Sequence, residues 1–469
     1  MEDSITRRRF LQLSAAAGGA AVLAACGGTP AANTAPTAAA AAAPTAAAAA
    51  APTAASAAAP AGTAVKLSLL NENWGEVYNN LMINISDDFT KKNPDIGVEW
   101  NFDPDFQAKL TTLIAAGTPP DANTIRPGLL ATLAKKGALT ELDSQVQTAG
   151  LKREDFIASI YDSCLYNNKL YAIPGGADYI CMFYSKDVYR DAGLDPEKPP
   201  TTLDELLAHS QQILQKDSAG EIQRVGYVPS AGHMINWSYI FGGGYYDAAG
   251  GKITANNPAN VAVLDRMASY VKTLDINKLA SFNSRPGTYE AGNPFATKQS
   301  AYIFDGFWTY EALDQHAPDI DYGVAFWPTA KGTPEERKNY AISGWMYAIP
   351  SASKNSDAAW KFIRYAFIDE CAKMGYLTLN GPCVKSQLKP WEDGLRAKIG
   401  STNRIDKYLK TFADTGAAAT NFFPILPVQS YYNDELSRIY DLVVRGEMTA
   451  QAGLDEVTKN VQAELDKAA

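Results

Sequence analysis

From Gly27 to Ala64 the chain is almost wholly alanine, proline and threonine, in recurring Ala-Pro-Thr units with no charge and almost no large apolar side chain. Such a segment cannot bury enough surface to offset the entropy of ordering it. An alanine helix is the alternative for its uninterrupted stretches, but Pro36, Pro44, Pro52 and Pro60 recur through them and break helices. An extended stalk over residues 26–64 is therefore expected, with threonines as possible sites for sugars. Folding is left to the segment from Val65 to Ala469, about 400 residues. That exceeds one compact core and predicts two lobes.

Residues 1–25 read as an export signal. Arg7, Arg8 and Arg9 precede Phe10-Leu11, an Ala/Gly-rich apolar run comes next, and Leu23-Ala24-Ala25 leads to Cys26. The paired arginines resemble a twin-arginine signal, with Gln12 where lysine is common, and the run before Cys26 resembles a lipobox. Cys26 is then the thiol that takes a diacylglycerol, anchoring the chain to the outer face of the cell membrane. A transmembrane anchor is the alternative, but the run falls short of the roughly 20 apolar residues a span needs, and no later run reaches that length.

Composition excludes several classes. A net charge of -9 and a pI near 5.1 give no electrostatic footprint for nucleic acid. With Cys26 lipidated, Cys164, Cys181, Cys371 and Cys383 remain in an oxidising compartment and allow three disulfide pairings. Their uneven spacing, with only 3 histidines, fits no metal motif, so neither a metal site nor a cofactor is expected.

Periodicity gives the order of elements. Val65–Leu70 reads as a strand ending in the turn Asn71-Glu72-Asn73-Trp74-Gly75. Val77, Leu81, Ile85 and Phe89 form a helix face stopped at Asn93-Pro94. Ile96, Val98 and Trp100 alternate as a strand, and Phe106, Leu110, Leu113 and Ile114 form the next helix face. A second series opens with Ile180, Met182 and Tyr184, and Thr202-Leu-Asp-Glu205 reads as a capping box. Later strands are expected at 301–304, 322–327 and 345–349, and a final helix carries Leu454, Val457, Val461 and Leu465. This is an α/β pattern with helices over sheets and no internal repeat.

These segments resemble the extracellular solute-binding proteins of ABC importers, family 1, the group that includes maltose-binding protein. FTKKNPDIGVEW (Phe89 to Trp100), KLTTLIAAGTPPD (Lys109 to Asp121) and LAKKGALTELD (Leu133 to Asp143) match in order. So do YNNKLYAIPGGADYICMFYSKDVYRDAGLD (Tyr166 to Asp195), QSAYIFDGFW (Gln299 to Trp308) and ISGWMYAIPSASKNSDAAWKFI (Ile342 to Ile363). One departure is Ala122-Asn-Thr-Ile-Arg126 after the Pro-Pro-Asp, where the family often has an apolar strand; here a ligand-contacting loop is expected. The resemblance implies a periplasmic-binding-protein type II fold, two α/β lobes joined by crossing hinge strands and closing on a small ligand. Lobe 1 would take 65–178 and 328–370, and lobe 2 would take 179–327 and 371–469. It also implies a monomer without catalysis, delivering a mono- or oligosaccharide to membrane permease subunits.

Ligands of open α/β sheets sit beyond the carboxyl ends of strands, and sugars call for carboxylates and amides beside aromatic plates. That rule selects Asn73 and Trp74 after the first strand, against packing of Trp74 under its helix. The resemblance adds Asp178 and Tyr179 at the first crossover, Trp237 before FGGGYYD, and Asp305 with Trp308, where an aromatic stacks on sugar. It further adds Gly344 and Trp345 from the first lobe, against Trp345 starting a core strand, and Tyr431 as a last stacking aromatic. Arg126 could meet a charged or phosphorylated ligand or form a surface salt bridge. Trp100, Trp327, Trp360 and Trp391 are assigned to packing, and the glycines at 242–244 to a turn, because Asp247 breaks a dinucleotide fingerprint. Two other functions compete. Asp178 and Asp305 beside aromatics would also suit a secreted glycoside hydrolase, and twin-arginine export is compatible with a redox protein, for which no flavin, haem or Fe–S motif is present.

Overall fold

Gly75 takes φ 90°, a left-handed value that glycine tolerates, and there the first strand turns into the first helix. The helix Glu76–Lys92 carries Glu76 in its first turn and Lys91 and Lys92 in its last, matching the helix dipole. It ends where the Asn93 side chain donates to the Phe89 carbonyl at 3.0 Å. Met82, Ile85 and Phe89 are its buried stripe. The computed structural model describes residues 65–288, 290–400 and 403–468. The export signal, Cys26 and the stalk expected over 1–64 lie outside the described residues.

The eight strands of the two main sheets are β1 (Val65–Glu72), β2 (Ile96–Asp103), β3 (Ala122–Ile125), β4 (Ile173–Asp178), β5 (Cys181–Ser185), β6 (Tyr302–Asp305), β7 (Tyr322–Ala325) and β8 (Ser343–Ala348). The first lobe is built on a five-stranded sheet in the order β2-β1-β3-β8-β4, and the second on a three-stranded sheet in the order β6-β5-β7. In the first, β1 runs parallel to β2 and β3, while β8 is antiparallel to both β3 and β4. The carboxyl ends of β1, β3 and β4 and the amino end of β8 therefore share one edge. The chain crosses between lobes from β4 to β5 and from β7 to β8.

Sequence and structure differ in instructive places. The segment after Pro-Pro-Asp is no loop: Ala122–Ile125 is a fully buried strand. Its polar residues are absorbed internally, the Thr124 and Tyr347 hydroxyls both donating to the Asn71 Oδ1. Asp121 staples the strand's start, accepting from the Ser68 N–H at 2.9 Å, Ser353 at 3.0 Å and Asn355 at 3.1 Å. The lobe boundary expected at 370/371 falls inside a helical run, Ser356–Arg364, Tyr365–Asp369 and Cys371–Thr378, whose last part packs on β4 and the helix Glu76–Lys92. The capping box forms as expected, the Glu205 N–H donating to the Thr202 hydroxyl at 3.1 Å. Cys164, Cys181, Cys371 and Cys383 are all buried free thiols. Burial raises each thiol above its ordinary range, to about 11 for Cys371 and about 12 for Cys181.

Candidate functional site

A cavity of about 600 Å³ opens between the lobes, lined from the first by Trp74, Tyr78, Arg126, Asp178 and Trp345, from the second by Trp308, Glu311, Ala312 and Gln315, and by Thr378 and Asn380 at the end of the helix Cys371–Thr378. Topology explains the first set. Trp74 lies just past the carboxyl end of β1, Arg126 just past β3, Asp178 ends β4, and Trp345 is the third residue of β8, opposite Gly176. This is the strand edge at which α/β folds bind ligands.

Glycines let the indoles lie where they do. A Cβ on Gly175 would stand 2.2 Å from the Trp345 Cζ3, and one on Gly176 2.8 Å from its Nε1, so the Pro174-Gly-Gly stretch is the bed on which the Trp345 ring rests. Gly306 does the same for Trp308, with its notional Cβ 2.2 Å from the indole Cη2. Trp74 and Trp345 meet at a tilt of 58° with centroids 4.9 Å apart, forming a corner of apolar faces. Gly344 meets no ligand wall; a Cβ there would lie 2.3 Å from the Gly176 carbonyl, so its role is close strand approach.

The charges around the cavity are matched. Arg126 donates to the Glu72 Oε2 through Nη2 at 2.6 Å and Nε at 3.1 Å. Lys398 reaches the Glu311 Oε1 at 2.6 Å, while the Tyr78 hydroxyl donates to the Glu311 Oε2 across the cleft at 3.5 Å. Burial pushes the Tyr78 hydroxyl up to about 12, helped by the negative charges of Glu311 and Asp305. Asp178 accepts from the Asn380 amide at 3.0 Å. Arg126 is thus half of an ion pair, which argues against a phosphorylated ligand. The surface on offer is apolar rings, one carboxylate–amide pair and neutralised charges.

Other sequence candidates lie elsewhere. Tyr179 points to the opposite side from Asp178, its ring between Gly381 and Gly416 and its hydroxyl donating to the Pro382 carbonyl at 2.8 Å. Trp237 is fully buried in an aromatic cluster with Phe304 and Trp327, its indole N–H donating to the Tyr227 hydroxyl at 3.3 Å. Tyr431 is 39% exposed on the helix Gln429–Val444, where Tyr432 is the residue turned inward. Asn73 holds the turn after β1, accepting from the Gly75 N–H at 3.0 Å and the Asn79 amide at 2.8 Å. Asp305 accepts from the Gly306 N–H at 2.8 Å and lines a neighbouring cavity of about 320 Å³ in the second lobe. Among the described residues no group of His, Cys, Asp and Glu is arranged to hold a metal ion, and no helix is long and apolar enough to cross a membrane.

Two α/β lobes with a ligand-sized cleft at the strand edge define a binding protein of the two-lobed periplasmic type. The chain belongs to the bacterial extracellular solute-binding protein family, whose profile matches residues 71–370. It is 25% identical over 300 residues to the diacetylchitobiose binding protein DasA of Streptomyces coelicolor, covering 62% of this chain and 67% of that protein. It is 26% identical over 321 residues to a maltooligosaccharide ABC transporter solute-binding lipoprotein of Streptococcus pneumoniae, covering 64% and 68%. Among solved structures it resembles CpMnBP1 with mannotriose bound, with a TM-score of 0.71 and 22% identity over 86% of this chain and 100% of that one. Maltose-bound MalE3 of T. maritima gives 0.66 and 20%, over 86% and 100%. These structural likenesses speak for the fold.

Proposed function

We propose that this protein is the exported, lipid-anchored solute receptor of an ABC importer, capturing a neutral sugar between its lobes and presenting the closed form to membrane permease subunits. The observation that carries this reading is the convergence of Trp74, Trp308 and Trp345 on one cavity that also holds Asp178 and Asn380. Indole faces suit the C–H faces of sugar rings, and the carboxylate–amide pair suits hydroxyls that both donate and accept. The matched charges of Arg126 with Glu72 and of Lys398 with Glu311 favour a neutral ligand over a charged one. The names of the relatives, binding proteins for diacetylchitobiose and maltooligosaccharide, point the same way.

Closure comes from the same geometry. A ligand that touches Trp74 and Trp345 on one lobe and Trp308 on the other gains contacts only when the lobes approach, so binding favours the closed form. Diacylglycerol on Cys26 and the Ala/Pro/Thr-rich segment after it would keep the receptor near its permease. A thermal-shift screen of neutral mono- and oligosaccharides tests the reading. A cognate sugar at a hundred times its Kd adds about 2.7 kcal/mol to stability; a panel in which no sugar raises the melting temperature while a charged solute does would overturn it.

A further inference from the structure

Residues 378–380 form a cavity wall that helical periodicity does not announce. The helix Ser356–Arg364 passes through a π-helical turn, Tyr365–Asp369, before resuming as Cys371–Thr378. A π turn widens the helix and rotates the next residues out of α-helical register. It seats Phe367 flat on Tyr347, with centroids 4.1 Å apart, and edge-on to Trp345, and the helix then delivers Thr378 to the cavity. Leu379 leaves the helix at φ 56° and ψ 25°, a left-handed conformation uncommon for leucine, with its side chain buried. Beyond it, Gly381 pairs with Ala177 through two backbone hydrogen bonds of 3.0 and 2.9 Å, and the Tyr179 ring fills the space above Gly381. The chain is pinned on both sides of Asn380. An unfavourable backbone conformation held in place by its surroundings is the kind of feature that collects at binding sites.

We propose that Asn380 is a specificity-determining residue of the cleft, reading with Asp178 two adjacent hydroxyl groups of the bound sugar. This rests on the sugar reading above. One amide hydrogen of Asn380 is committed to the Asp178 Oδ1 at 3.0 Å, which leaves its second N–H and its Oδ1 to meet one hydroxyl while the carboxylate accepts from the neighbouring one. A sugar lacking either hydroxyl, or presenting it on the other face, leaves a desolvated polar group without its partner, and such mismatches discriminate more sharply than lost apolar contact.

Calorimetric titration of the intact protein with the best sugar of the thermal-shift panel and its deoxy and epimeric analogues tests this, in wild type, Asn380→Ala and Asn380→Asp. Wild type is expected to bind at least one analogue tenfold or more weakly than the parent sugar. Asn380→Ala is expected to lose at least tenfold for the parent while binding that analogue as wild type does, so that discrimination collapses. Asn380→Asp places two carboxylates side by side, which repel when both are charged and share a proton at lower pH. Its weakened binding at pH 7 is therefore expected to recover several-fold toward pH 5, where the shared proton replaces the amide donor. Equal weakening of parent and analogues by Asn380→Ala, unchanged affinities, or a pH-independent Asn380→Asp would each overturn the proposal while sparing the sugar reading. A wild type that binds no sugar brings down both.

Discussion

The cleft and the second-lobe aromatic cluster are built from the same residue types and do opposite things. In the cluster, Trp237, Trp327, Phe304, Tyr227 and His233 pack edge to face, and both indole N–H groups are satisfied inside the protein, Trp237 by Tyr227 and Trp327 by the Ile180 carbonyl at 3.1 Å. In the cleft, Trp74, Trp308 and Trp345 line a cavity, Trp345 as its inner wall at 4% exposure, and Trp308 and Trp345 rest on glycine backbone. Aromatic content therefore does not mark a site, and neither does glycine beneath a ring, since the buried Tyr179 ring also lies against Gly381 and Gly416; what sets the cleft apart is that indoles of both lobes line one cavity.

The largest effect that should separate the two regions is on stability. Trp237→Ala empties the middle of the cluster and is expected to cost about 3–5 kcal/mol, measured by urea unfolding, with far less loss from Trp308→Ala in the same assay. The cluster should also carry an acid sensitivity that the cleft lacks. Burial lowers His233 to about 4, while an unfolded histidine takes up its proton near pH 6.5. Between those values the unfolded chain binds the extra proton, so stability falls as pH drops through that window, by roughly 2–3 kcal/mol in all. Melting temperatures of wild type and His233→Phe across pH 4–7 check this, the variant losing that part of the slope.

Smaller effects belong to the cleft. Gly175→Ala drives a methyl into the Trp345 ring and is expected to cost about 2 kcal/mol of stability by overpacking, together with affinity for sugar, because the ring must shift into the cavity. Trp308→Ala is expected to weaken sugar binding by more than tenfold, about 1.4 kcal/mol or more, with the fold retained by circular dichroism. Least affected should be Arg126→Ala, whose partly exposed ion pair with Glu72 contributes about 1 kcal/mol or less. Titration calorimetry that finds Arg126→Ala more damaging than Trp308→Ala would reverse the assignment of apolar faces over charge.

Much of the fold is legible in the sequence because it rests on long periodic segments. The stripe of Ile85 and Phe89, the strand at Ile96 and the last helix with Leu454, Val457 and Val461 each announce a buried face. Polar residues inside strands escape the pattern: Asn123 and Thr124 read as loop, yet both are buried, the Thr124 hydroxyl sharing the Asn71 Oδ1 with Tyr347 at the sheet's centre and the Asn123 amide donating to the Thr124 carbonyl. In the cleft, Trp74 is reachable from the rule that ligands sit at strand ends, whereas Asp178, Trp308 and Trp345 come from the family resemblance and Arg126 from its charge. Tyr78, Glu311 and Gln315 are not legible, since they lie on helices whose spacing reports only which side is core. Thr378 and Asn380 come after a π turn and beside a left-handed leucine, neither of which has a compositional mark. Strand alternation does hold the clue that Asp178 and Tyr179 face opposite ways. Trp237 and Tyr431 give no such hint, because only packing decides which aromatic of a helix turns inward.

Central to this reading of the molecule is a ligand lying against Trp74, Trp308 and Trp345 between the lobes. A crystal structure with the cognate sugar bound tests it most directly. Sugar rings stacked on at least two of those three indoles, with hydroxyls on Asp178 and Asn380, are the predicted result. A sugar seated elsewhere, with the three indoles out of contact, would contradict it.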